Sequence, residues 1–174
     1  MREFVVSAVM LTGAFGLWMS AGVHRDAPLV EHRGMTSEVA AMENAVALNP
    51  NDPEKLSSLC SAYLEREAPG FALAAIHRAP ETVRQQPPIH HLWARALLHE
   101  GQASDALAKQ RFVLAECERT QCSAWLIASA TRHEAFLSAM VARGVEDYRR
   151  NPDETVEAYR FMKGSTVAVL DHNH

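Results

Sequence analysis

Histidine, arginine and cysteine spacing sets the first chemical questions. His91, Arg95 and His99 are four residues apart, so on a helix they share one face. His133 follows His99 by 34 residues. An arginine among imidazoles suits a carboxylate-bearing ligand, because the rigid guanidinium fork pairs with both carboxylate oxygens. The bland counterpart is a solvated helix face, where Arg and His are common in any protein. Cys117 and Cys122 bracket the sequence ERTQ. Two states fit that spacing: a disulfide clamping a turn in an exported domain, or two unpaired packing cysteines. Cys60, the third cysteine, falls in an apolar stretch and reads as an inert core thiol. The chain holds no C-x-x-C redox pair and no C-x-x-C-H haem attachment.

Nine histidines invite a metal, but their placement argues against one. His90 and His91 are adjacent and diverge on a helix. Asp171, His172, Asn173 and His174 form a short tail without a preorganised shell. No metal and no cofactor is expected. H-E-x-x-H, G-x-S-x-G, P-loop and dinucleotide signatures are all missing, and His133-Glu134 lacks a second histidine at the required spacing. The chain is not expected to be an enzyme or to have a small-molecule substrate.

The elements that must position these residues begin with composition. The 174 residues carry 48% hydrophobic and 22% charged side chains and a net charge of -4, which fits one ordinary domain and argues against nucleic acid as partner. The apolar residues are concentrated at the start. Phe4 to Val23 contains no charge, and twenty residues at about 1.5 Å rise span a hydrocarbon core of roughly 30 Å. The leading reading is a retained single-pass signal anchor, with Trp18 near its far end as an interfacial residue and Gly13 and Gly16 as points of close helix approach. A secretory signal peptide cut near Ser20, Ala21 and Gly22 is the second, and a buried core helix the third. An export-type leader placed first predicts an inner (cytoplasmic) membrane location, with the carboxy-terminal domain on the periplasmic or exported side. Residues 24–35, with Pro28, read as a tether, 36–164 as a helical domain and 165–174 as a loose tail.

Within the helical domain the sequence matches itself at a spacing of 34. Pro53 matches Pro87; Leu59 matches Trp93 and Ile127; Cys60 matches Ala94 and Ala128; Ala62 matches Ala96 and Ala130. Ala72 pairs with Ala106, Leu73 with Leu107 and Val141, and Ala74 with Ala108 and Ala142. Small residues at fixed intervals let paired helices approach closely, and each proline sits in a first turn that needs no backbone donor. Asp52 and Thr120 are candidate caps. The pattern predicts helices at 36–48, 53–66, 70–84, 88–100, 103–117, 122–132, 134–143 and 153–163, the last stopping at Gly164.

These residues resemble the tetratricopeptide repeat family, whose helix–turn–helix units are 34 residues long. Leu56, Leu59, Cys60, Tyr63, Ala72, Ile76 and Ala79 occupy the matching places in one unit, and Trp93, Ala94, Leu97, Gly101, Ala106 and Val113 in the next. His90 and Gln110 depart from it, each standing where a large apolar residue is usual. Residues 38–52 look like the second helix of an incomplete unit, and the unit from Gln121 is degenerate, with Gly144 cutting its second helix short. The resemblance implies an all-α, short solenoid of stacked antiparallel helix hairpins, preceded by one hydrophobic helix. It also implies an inner face lined by Ser57, Ser61, Leu64 and Glu65, then His91, Arg95, Leu98 and His99, then Trp125, Ser129, Arg132 and His133. Such a face is a mildly basic peptide groove. The expected function is a membrane-tethered protein-interaction module in assembly, maturation or scaffolding of an envelope or secreted complex. The alternative is a permanent accessory subunit of a membrane complex.

Overall fold

The computed structural model describes residues 37–170. The apolar leader, the tether and the His172–His174 tail lie outside the described residues. Among those described, no helix is long and apolar enough to cross a membrane.

The described chain is all-α. Its helices are α1 (Ser37–Leu48), α2 (Pro53–Glu65), α3 (Pro69–Arg78), α4 (Glu81–Arg84), α5 (Pro87–His99), α6 (Ala103–Arg119), α7 (Ala124–Val141) and α8 (Pro152–Leu170). Proline opens α2, α3, α5 and α8, where the absent N–H would have had no intrahelical partner. Asp52 caps α2, its carboxylate accepting from the amides of Glu54 at 3.0 Å and Lys55 at 3.2 Å. Ser123 caps α7 by accepting from the Leu126 amide at 3.2 Å. Thr120, expected as a cap, instead closes α6 by donating its hydroxyl to the Glu116 carbonyl at 2.8 Å.

Sequential helices pack as hairpins, α1 on α2, α2 on α3, α5 on α6 and α6 on α7, and α5 also packs across the stack on α2 and α3. This is a helix-hairpin solenoid consistent with a tetratricopeptide-like fold. Cys60, Ala94, Ala62, Ala96 and Ala130 are buried in its seams. The Cys60 thiol lies 3.8 Å from the Ala72 carbonyl of the facing helix, and burial pushes its pKa up to about 12. Leu56, Leu59, Ile76, Val83 and Ile89 fill the first part of the core, while Leu97, Leu107, Leu137 and Met140 fill the second.

Three elements differ from the sequence expectation. The helix expected over 70–84 breaks at Ala79, whose backbone is extended (ψ 148°), because a residue before proline is driven out of the helical region. The hairpin expected over 122–132 and 134–143 is one uninterrupted helix, α7; no Gly or Pro stands near Arg132 to turn the chain. Val141 and Ala142 therefore end a first helix instead of occupying a second. α8 supplies the second helix and continues through Gly164 to Leu170, since one interior glycine costs only about 1 kcal/mol. α8 packs against the far end of α7, where Ala158 joins Leu137, Ala139 and Met140. Among the described residues α8 does not cover the near end of α7, where Ala128, unlike Cys60 and Ala94, is exposed.

Candidate functional site

The open end of α7 carries Trp125, which is 68% exposed. The indole is not loose on the surface, for its ring meets the His91 imidazole edge-on at 6.2 Å and 82°. His91 is only 3% exposed and sits inside the stack. Its Nδ1 is 3.1–3.2 Å from the side-chain amide of Gln110 on α6, and its Nε2 is 3.2 Å from the Ser129 hydroxyl on α7. A neutral imidazole donates at one nitrogen and accepts at the other, so Gln110, His91 and Ser129 form one polar chain through three helices. Gln110 is fully buried, and His91 provides the partner that a buried amide requires.

His133 stacks on the other side of this chain, its ring 5.1 Å from that of His91 and 21° from parallel. Two stacked cations would repel, and both imidazoles are held neutral. The pKa of His91 falls to about 4 through burial, then through the nearby His133 and Arg95, against the opposing hydrogen bond from Gln110. That of His133 is lowered by burial and then by Arg95 and Arg132. The guanidinium groups of Arg95 and Arg132 thus supply the positive field of this surface. Among the described residues neither is in an ion pair.

The expected groove residues separate into three groups. Trp125, Ser129 and His133 meet His91 directly, Arg95 acts on it electrostatically, and Arg132 acts on His133. His99 lies at the other end of Arg95, half-buried, edge-on to Tyr148 at 6.2 Å; burial and then Arg149 and Arg95 lower its pKa, while Glu67 and Glu100 act oppositely. Ser57 and Ser61 are half-buried and Glu65 is exposed on α2, and among the described residues no hydrogen bond joins them to the His91 cluster. Leu64 and Leu98 pack with the core clusters. His91 itself is a buried support for the surface and presents no free nitrogen to a ligand.

Two supporting features were visible in the sequence only as departures from the repeat. Gln110 at an apolar position signalled a buried polar partner elsewhere. His90 behaves as an aromatic slab: its ring lies 4.0 Å from Phe112 and 5.5 Å from Trp93. Among the described residues neither of its nitrogens has a hydrogen-bond partner. Burial, then Lys109 and Arg84, drive its pKa down to about 4.

Cys117 and Cys122 are joined in a disulfide with Cα atoms 5.2 Å apart. The bridge closes the turn between α6 and α7, and so fixes the start of the helix that bears Trp125 and Ser129. Among the described residues, no three His, Cys, Asp or Glu side chains gather into a metal-binding group. No family model, curated protein or solved structure matches the chain.

Proposed function

We propose that this chain is a protein-interaction module, held at the membrane by its apolar leader on the exported side of an inner membrane, and that it serves assembly, maturation or scaffolding of an envelope or secreted complex. The observation that carries the reading is Trp125: a mostly exposed indole braced on the buried His91, with Arg95 and Arg132, in no ion pair among the described residues, acting on the His91–His133 pair beneath it. Interface hot spots are rich in Trp and Arg seated on rigid supports. The chemistry fits a partner segment with an apolar side chain for the indole and carboxylates for Arg95 and Arg132. The Cys117–Cys122 bridge supports the oxidising compartment that export would provide. The reading assigns no reaction to the chain, because each perturbed histidine is packed against another ring, His91 on His133, His90 on Phe112 and His99 on Tyr148.

The test is capture of partners by the full chain, compared with Trp125→Ala and with Arg95→Glu/Arg132→Glu. Specific partners should be lost from both variants; retention of the same partners by both sinks the surface. Intact-mass measurement of the mature protein tests the leader, since loss of the leader's mass excludes a retained anchor.

A second reading, a permanent accessory subunit, draws on α8, where Val156, Tyr159 and Phe161 are exposed. One stoichiometric complex surviving detergent purification would favour it over a transient partner.

A further inference from the structure

A cavity of about 560 Å³ opens between α1, α2 and α3, remote in sequence from the Trp125 surface. Its cause is the run of small side chains facing it. Ala47 on α1 and Ala74, Ala75 and Ala79 beside α3 cannot fill the space above α2. Leu56 and Leu59 form the floor, and Tyr63, stacked on Phe71 at 5.5 Å, closes one end.

The polar groups in this apolar lining are few and unequal. The Tyr63 hydroxyl donates to the Glu43 carboxylate, so that carboxylate already has a partner. Burial, followed by the Glu43 hydrogen bond, raises the Tyr63 pKa and keeps the phenol a donor. Arg78 also lines the cavity, is exposed, and among the described residues enters no ion pair or hydrogen bond. An apolar concavity of about 300–1,000 Å³ with one or two placed polar groups is the usual form of a small-molecule site. Arg78 acts electrostatically on the Tyr63 phenol, but among the described residues its guanidinium donors meet no acceptor, and their preferred partner is a carboxylate.

We propose that the cavity binds a free alkyl carboxylate, its chain lying over Leu56 and Leu59 and its carboxylate paired with Arg78. Glu43 keeps its charge and a second oxygen while accepting from Tyr63, so a cationic amphiphile is the competing occupant, which the cation probe tests. The site is independent of the Trp125 surface, so either can fail alone.

Titration calorimetry on the full chain, with decanoate, decanol and decyltrimethylammonium as probes, tests this. Decanoate should bind saturably at one site and roughly tenfold more tightly than decyltrimethylammonium, the equivalent of about 1.4 kcal/mol. Arg78→Glu should weaken decanoate by a similar factor and leave decanol unchanged. Ala75→Phe should fill the cavity and remove binding of both, with circular dichroism showing retained helix. No saturable binding of decanoate, equal affinity for the cation, or indifference to Arg78→Glu overturns the proposal. So does a dimer in sedimentation that Ala75→Phe dissociates, or loss from that variant of the partners that Trp125 captures, since the groove would then hold a second copy or a partner protein.

Discussion

The imidazoles of His91 and His133 lie nearly parallel with their centroids 5.1 Å apart, one from α5 and the other from α7. That pairing joins the two helices where Trp125 sits, and burial with the neighbouring charges favours the neutral form of both rings. A histidine whose folded pKa is depressed contributes no penalty above its unfolded value and loses stability as pH falls toward the folded value.

Acid should therefore destabilise the fold in a defined window. For His91 the window runs from the ordinary value of 6.5 down to about 4, and His90 has the same limits. At about 1.4 kcal/mol per pKa unit, each shift corresponds to a few kcal/mol at most. Thermal melts should show a flat Tm above pH 7 and a steep fall between pH 6.5 and 4. A Tm unchanged across that interval would show that these rings are not held neutral.

His90 offers a sharper version of the same measurement. Its two ring nitrogens lack partners among the described residues, while its face stacks on Phe112. Leaving a buried polar group unsatisfied costs about 1–3 kcal/mol. His90→Phe should raise Tm at neutral pH and make the acid slope shallower. A loss of stability at neutral pH would mean the nitrogens find water or the larger ring does not fit.

The Gln110–His91 contact should behave as a pair. Gln110→Leu alone leaves the buried His91 Nδ1 without its partner, at a cost of about 1–3 kcal/mol. His91→Phe/Gln110→Leu, which removes both polar groups, should be less damaging than the sum of the single changes. Additive losses in a double-mutant cycle would show that the two side chains act separately.

The Cys117–Cys122 bridge closes a loop of five residues' separation, and chain entropy gives a crosslink of that size about 2 kcal/mol. Cys117→Ser/Cys122→Ser should lower stability by that order. Hydrogen exchange should quicken first at the start of α7, and partner capture through Trp125 should weaken. Trp125→Ala, at an exposed position, should change stability by no more than about 0.5 kcal/mol. That contrast separates damage to the support from damage to the surface.

How much of this was legible in the sequence follows from which contacts are local. Pro53 and Pro87 announced helix starts, and Ala62, Ala96 and Ala130 announced seams, because those signals repeat and act within a turn or two of the chain. The all-α hairpin stack followed from them. The break at Ala79 was also local, written in Pro80, and was outweighed by the apolar period that continues to Val83. The single helix α7 was hidden because the repeat spacing suggested a turn that no residue near Arg132 could make. The surface residues were visible as residue types, yet the burial of His91 was not, since Gln110 and Ser129 reach it from helices 19 and 38 residues away in sequence. Cavities such as that above Leu59 depend on side-chain volumes from three helices and leave no mark in any one.

The least legible support is the one that holds α6 in place. Gln102, at the start of α6, gives no side-chain cap. The open amides are met from the distant turn before α8, where the Glu146 carboxylate accepts from the Ser104 amide at 2.9 Å and its backbone carbonyl from Ala103 at 3.2 Å. The Ser104 hydroxyl also donates to the Glu146 carboxylate, and that bond, followed by the Ser104 and Ala103 amides, lowers the Glu146 pKa. Gly101 permits this approach. Its φ is +77°, and a Cβ there would lie 2.8 Å from Cγ of Asp147, the neighbour of Glu146. The Asp147 carboxylate cannot move freely, for it accepts from the Arg149 amide at 2.9 Å and pairs with Arg150. Gly101→Ala should thus cost more than the about 1–2 kcal/mol of a left-handed residue alone, because the turn bearing Glu146 must retreat from α6. Gly101→Ala/Asp147→Gly, judged against Asp147→Gly alone, removes the Asp147 Cβ at 2.9 Å as well as its carboxylate, and should recover the steric part and leave the backbone part. Urea denaturation of the three variants separates them. No recovery in the double variant would place the whole cost in the backbone of the α5–α6 turn.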